Sequence, residues 1–159
     1  MDRNAEYYKK HLKLERHIEG GYFSETYSGQ PLESNGGRAI STGIYFLLEH
    51  GDFSAFHRID ADEMWHFYGG SSLRIYDIDP NGTLTVHKLG LDLAAGERPQ
   101  LVVQAGHWFA SRCEVANGFS LVGCTVAPGF LYKGFELADK KLLEEYPEHE
   151  QVLKELIRL

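Results

Sequence analysis

Apolar and polar positions divide the chain into a helical start, a long β region and a helical tail. Over residues 3–15, Tyr7, Tyr8, Leu12 and Leu14 form an apolar stripe opposite lysines, which predicts a short amphipathic helix ended by Glu19-Gly20-Gly21. Tyr22, Phe23 and Tyr27 then predict a strand. From Arg38 to Val126 the pattern is β, with a long apolar strand over 40–48. Shorter strands follow over 53–59, 63–68, 73–78, 83–89, 101–104, 108–111 and 119–126. Asp79-Pro80-Asn81-Gly82 reads as a tight hairpin, because Asn-Gly takes positive φ at low cost. Many short strands at regular spacing predict a sandwich or a β-barrel. Helices return over 138–146 and 147–159, the second opened by Pro147, with Leu142, Leu143, Val152, Leu153, Leu156 and Ile157 as the apolar face. With no linker or repeat, residues 1–159 read as a single domain.

Side chains alternate across a strand, so Phe53, Ala55, His57 and Ile59 share one face, and its apolar members turn it inward. Glu63, Trp65 and Phe67 share a face of the next strand, and Met64, His66 and Tyr68 share the opposite one. Burying a carboxylate without a partner is costly, so an inward Glu63 must pair, bind something or stay protonated. Trp65, Phe67 and Phe109 read first as core, doubling as the apolar wall of a pocket. His11, His17, His87 and His149 read as surface or helix-end residues.

The formal net charge is -7 and no Lys/Arg run is present, which argues against a nucleic-acid surface. Two cysteines, Cys113 and Cys124, read as small apolar fillers in a reducing compartment. The first residues lack an apolar signal-peptide segment, and no apolar run approaches the roughly 20 residues of a spanning helix. The expectation is a cytoplasmic protein with no membrane partner.

The spacing Gly51, His57, Ile59, Glu63, Gly70 resembles the first motif of the cupin superfamily, G-x5-H-x-H-x3-4-E-x6-G, with Ile59 in place of the second histidine. The second cupin motif is only partly present. Aligning its inner glycine on Gly106 puts Gln104 at the proline, Phe109 at the histidine and Cys113 at the asparagine. His17-Ile-Glu-Gly-Gly-Tyr-Phe, Asp62-Glu-Met-Trp-His-Phe and Ser120-Leu-Val-Gly-Cys-Thr-Val-Ala-Pro-Gly-Phe together resemble an uncharacterised group of small cupins. The resemblance implies a mainly β fold, the double-stranded β-helix or jelly roll, commonly as a homodimer. It implies no single reaction, because cupins include isomerases, epimerases, oxygenases and binding modules.

Three functional readings follow. Typical cupin metal sites use two histidines and a glutamate from the first motif and a histidine from the second. Only His57 and Glu63 keep those places, so the expectation is no cofactor; if a divalent metal binds, these two are its ligands. His66 reaches the site only if a bulge re-aims it, and His107 only if its strand starts early. Without metal the chain resembles cupins that epimerise nucleotide-linked keto-sugars, with His57 as general base, Glu63 as orienting or acid partner, and Tyr68, Tyr22 or Tyr132 as the phenol. Arg38, Arg58 or Arg74 would then meet a pyrophosphate. The third reading is a non-enzymatic module for a small ligand, lined by His66, Trp65, Phe67, Tyr68, Arg74, Phe109, Tyr22 and Tyr132. The expected partners are a small molecule, a sugar or nucleotide-sugar among them, and a second copy of the chain.

Overall fold

The computed structural model describes residues 3–158. Helix α1 (Ala5–His11) is capped by the Asn4 side chain, which accepts from the Tyr7 amide. It is shorter than the apolar stripe predicts, because Lys13 takes a positive φ of 53° and the chain turns into β1 (Glu15–Arg16). Next come β2 (Tyr22–Ser28), the short pair β3 (Pro31–Leu32) and β4 (Arg38–Ala39), and the long β5 (Thr42–Glu49). Strands β6 (Phe53–Arg58), β7 (Asp62–Gly70), β8 (Leu73–Ile78) and β9 (Leu84–Leu89) follow at short spacing. They lead to β10 (Gln100–Val103), β11 (Trp108–Arg112), β12 (Phe119–Ala127) and β13 (Glu136–Leu137). Helices α2 (Lys140–Glu145) and α3 (Glu150–Leu156) close the fold, joined by a 3-10 turn that starts at Pro147. The predicted helical end at Leu159 lies outside the described residues.

The strands form two facing sheets, β1-β2-β5-β12-β7-β10 and β13-β6-β11-β8-β9. No ladder joins one to the other among the described residues, so the layout is an open two-sheet jelly roll and not the closed β-barrel that the strand spacing also allows. Between the sheets lie Phe46, Leu48, Trp65, Leu73, Ile75, Phe109 and Val122. The outer face of the smaller sheet is apolar too. Phe56, Tyr76, Ile78, Trp108 and Ala110 pack there under Leu142, Leu153, Leu156 and Ile157 of the tail. The tail helices hold their place by burying this second layer, which explains why β6 is buried on both faces. No helix among the described residues is long and apolar enough to cross a membrane.

A bulge in β6 modifies the expected alternation. His57 pairs with Phe109 and Ser54 with Ser111, so three steps of β6 oppose two of β11. His57 and Ile59 therefore face between the sheets as predicted. Phe53 does not: it joins Phe56 beneath the tail helices.

Candidate active site

A cavity of about 100 Å³ opens between the sheets beside His57. Its lining draws on His17 and Glu19 from the turn before β2, on Phe23 and Glu25 of β2, on Thr42 and Ile44 of β5, and on His57 and Glu63. Cys124 and Val126 of β12 add to the floor, and Phe130 and Tyr132 stand at the mouth. The segment after β12 is tied over the cavity by Phe130 N–H donating to Thr42 Oγ1 at 2.9 Å and Gly129 N–H to Ala39 O at 2.9 Å.

His57 is held at one nitrogen. Its Nδ1 lies 2.8 Å from Ala55 O and 2.7 Å from Glu19 Oε2. The carbonyl receives the better-directed bond, so the tautomer assigned here carries its proton on Nδ1. Nε2 makes no hydrogen bond among the described residues, while the ring lines the cavity between Phe109, centroids 4.1 Å apart, and Phe135 at 5.4 Å. Burial works against the charged imidazole. The Glu19 carboxylate, then Glu63 and the Ala55 carbonyl, outweigh it and raise the His57 pKa above the ordinary histidine value.

Glu19 is the carboxylate at His57, the place that the sequence pattern gives to Glu63. It arrives on a turn whose shape requires glycine. Gly20 sits at φ 114°, where an added Cβ would lie 1.9 Å from Phe53 O. The turn is bound from outside: Ala55 N–H donates to Glu19 O at 2.9 Å, Arg158 Nε to the same oxygen at 3.2 Å, and Gly21 N–H to Asp52 Oδ2 at 2.9 Å. Glu19 Oε2 is buried and has no well-directed donor.

Glu63 enters the cavity from β7, beside Val126 of β12. Burial pushes its carboxyl up to about 7; His57 opposes that shift, Glu19 adds to it, and the Cys124 thiol supplies a hydrogen bond. The thiol in turn is pushed well above its ordinary value by burial and by the Glu63 charge, so Cys124 acts as a neutral donor and not as a nucleophile. His17 corrects the surface reading. It is buried, lines the cavity, and accepts the Glu19 amide at Nδ1 over 3.2 Å. Burial lowers its pKa against the pull of Glu19, which keeps it neutral near pH 7 with its proton on Nε2.

Of the remaining expected ligand contacts, Tyr132 alone lines the cavity. Trp65 and Phe109 are fully enclosed core, and Phe67 packs against the same cluster. His66 keeps the outer face that alternation gives it, with Nε2 2.9 Å from Thr125 Oγ1. A bulge does occur in β7, but it falls at Tyr68, between the pairs Val122–Phe67 and Leu121–Gly69, beyond His66. Tyr68 lies over Gly123 on the outer surface. Tyr22 stacks with Lys9, whose Nζ is 4.1 Å from the ring centroid. Arg74 faces Glu114 at 3.4 Å, Arg58 pairs with Glu136 across Trp108, and Arg38 pairs with Asp60. None of these three arginines lines the cavity.

The residues do not fit the usual cupin metal set. Ile59 and Phe109 occupy two ligand places with carbon alone, both in the core. No three His, Cys, Asp or Glu side chains among the described residues are grouped to hold an ion. His107 does not fill in, since its Nδ1 lies 2.7 Å from Asp77 Oδ1, while His87 occupies the other oxygen at 2.9 Å.

Comparison with known proteins agrees with this architecture. The family described as Cupin superfamily (DUF985) matches residues 6–138. A crystal structure of a Shewanella oneidensis protein is 48% identical, with a TM-score of 0.93 over 99% of both chains. A hypothetical protein from Leishmania major is 33% identical, with a TM-score of 0.91 over 99% of this chain and 100% of its own. An uncharacterized protein of Saccharomyces cerevisiae is 32% identical over 74% of this chain and 67% of its own.

Proposed function

Because this chain belongs to the DUF985 family of the cupin superfamily, we propose that it is a small-molecule-binding cupin whose cavity moves a proton at a carbon next to a carbonyl, as an isomerase or epimerase does. The observation that carries the reading is the state of His57. One nitrogen is fixed by Glu19 and Ala55, and the other is left free on a ring that lines the cavity.

The substrate C–H proton passes to His57 Nε2, and its electron pair moves into the carbon–carbon bond as the carbonyl oxygen takes up negative charge. Protonated Glu63 donates to that oxygen. Glu19 stays ionised and stabilises the imidazolium, the role a carboxylate plays behind a catalytic histidine. Proton return to the same carbon from the same side gives exchange; return to the former carbonyl carbon of an α-hydroxy substrate, as the Glu63 carboxylate takes the proton of the neighbouring hydroxyl, gives isomerisation; return to the first carbon from the far side, with Tyr132 as the candidate phenol, gives epimerisation. The donor set of the cavity supports acid–base chemistry on side chains alone. A free sugar-like carbonyl compound suits this site better than a nucleotide-linked one, since no Lys or Arg among the described residues lines the cavity to meet a pyrophosphate.

The test is deuterium uptake. Free aldoses and ketoses incubated with the protein in D2O are expected to lose the proton signal next to the carbonyl, and His57→Asn slows that loss about 10²–10⁴-fold. Uptake from none of them, or equal uptake by the variant, leaves a binding role only.

A homodimer is proposed on separate grounds. The outer face of the larger sheet exposes Tyr27, Tyr68 and Val102, which a second copy would cover. Light scattering at micromolar concentration is expected to give twice the 18.0 kDa chain mass, and a monomer overturns the proposal.

A further inference from the structure

The cavity's ionisable side chains are mostly acidic. Glu19, Glu25 and Glu63 all line it, and no Lys or Arg among the described residues does. The nearest cations are engaged elsewhere: Arg38 by Asp60 and the Gly129 carbonyl, Arg16 and Arg158 by Asp52. His17 is neutral for the reason given above. His57 supplies one positive charge at most, and Glu19 already faces it at 2.7 Å.

One buried carboxylate also lacks a well-directed donor: Glu19 Oε2, with only the edge of the His57 ring 2.7 Å away. Glu25 is exposed and lines the cavity. Phe23, Phe130 and Tyr132 add aromatic rings to the lining. A buried acceptor without a donor is costly, and a ring face attracts a cation. A ligand with a positively charged nitrogen answers both, whereas an anion would add like-charge repulsion in a poorly screened space.

We infer that the ligand of this cavity carries an ammonium group, held between the carboxylates of Glu19 and Glu25 and the aromatic rim, with the Glu63 carboxyl beside it. The inference rests on reading the cavity as the ligand site, but not on the exchange chemistry.

The probes are three open-chain polyols of one skeleton: 1-amino-1-deoxysorbitol, sorbitol and gluconate, which are cationic, neutral and anionic near pH 7. None has a carbonyl, so their ranking is independent of turnover, and failure of the exchange assay does not bear on it. Calorimetric titration of the full chain in EDTA is expected to give the order amine, then sorbitol, then gluconate, with the amine at least tenfold tighter than sorbitol. Glu25→Gln, an exposed change that leaves the core untouched, is expected to weaken the amine about 2- to 5-fold and leave sorbitol unchanged. Any other order among the three, no binding of the amine, or an equal loss of amine and sorbitol in the variant overturns the inference. Stabilisation by Mn²⁺ without EDTA, in a protein that ignores the amine, overturns it in favour of a bound metal.

Discussion

Glu19→Gln is expected to slow proton exchange about 10²–10³-fold and to drop the His57 pKa below the ordinary histidine value. The two effects have one cause. Burial is the largest influence on His57 and it disfavours the imidazolium; the Glu19 charge is what reverses it. Glutamine keeps the size of the side chain and removes the charge. What remains to support a proton on Nε2 is Glu63, itself pushed up to about 7, and the Ala55 carbonyl. The Ala55 contact sets the size of the effect. Where a carboxylate alone fixes the tautomer, its amide variant also presents the wrong nitrogen to the substrate, and the loss is near 10⁴-fold. Here Ala55 O holds the Nδ1 proton in either case, so only the charge stabilisation is lost. An NMR titration of the His57 ring in wild type and variant checks the pKa without a substrate, and the pH profile of exchange checks it with one. An unchanged midpoint and rate would show that Glu19 is packing and not part of the site.

That prediction concerns a residue the sequence pattern did not single out, for a physical reason. His57 and Glu63 sit on strands, where a period of two fixes which face a side chain takes, and their inward placement follows from Ile59 on one strand and Trp65 on the other. Glu19 sits on a turn, where no period operates. Its direction is set by the positive φ of Gly20 and Gly21 and by Arg158, 139 positions downstream. The available signal was local: a carboxylate between His17-Ile18 and two glycines, in a segment belonging to the recurring family pattern. The same logic sorts the tyrosines. Alternation already placed Tyr68 with His66 on the outer face; His66 needed a bulge before it to enter the cavity, and the bulge falls at Tyr68, which stays outside over Gly123. The β6 bulge that moves Phe53 has no sequence marker either, since both faces of that strand are apolar. The fold itself was legible because strand length, turn chemistry and the cupin spacing agree, and each is a local property.

Glu63→Gln is expected to stabilise the protein at pH 8 by up to about 3 kcal/mol, to stabilise it by less than about 1 kcal/mol at pH 5, and to slow exchange. The sign follows from linkage. The folded pKa of Glu63 is raised to about 7, from an ordinary value of 4.5. Below the ordinary value the carboxyl is protonated in both states and costs nothing. Between the two values the unfolded chain releases the proton and the folded chain keeps it, so stability falls as pH rises. Above the folded value the full cost is present, at most about 3 kcal/mol at 1.36 kcal/mol per pKa unit. The opposing charge on His57 is already contained in that folded value. Glutamine has nearly the same shape and cannot ionise, so it escapes the cost where the cost exists. Urea unfolding of both proteins at the two pH values measures the difference, and an equal gap at pH 5 and pH 8 would sink the argument. A carboxyl that weakens the fold at working pH and can be replaced by its own amide has no structural reason to be there. The reason offered by the geometry is chemical: an acid poised near neutrality beside a histidine whose free nitrogen belongs to the same cavity.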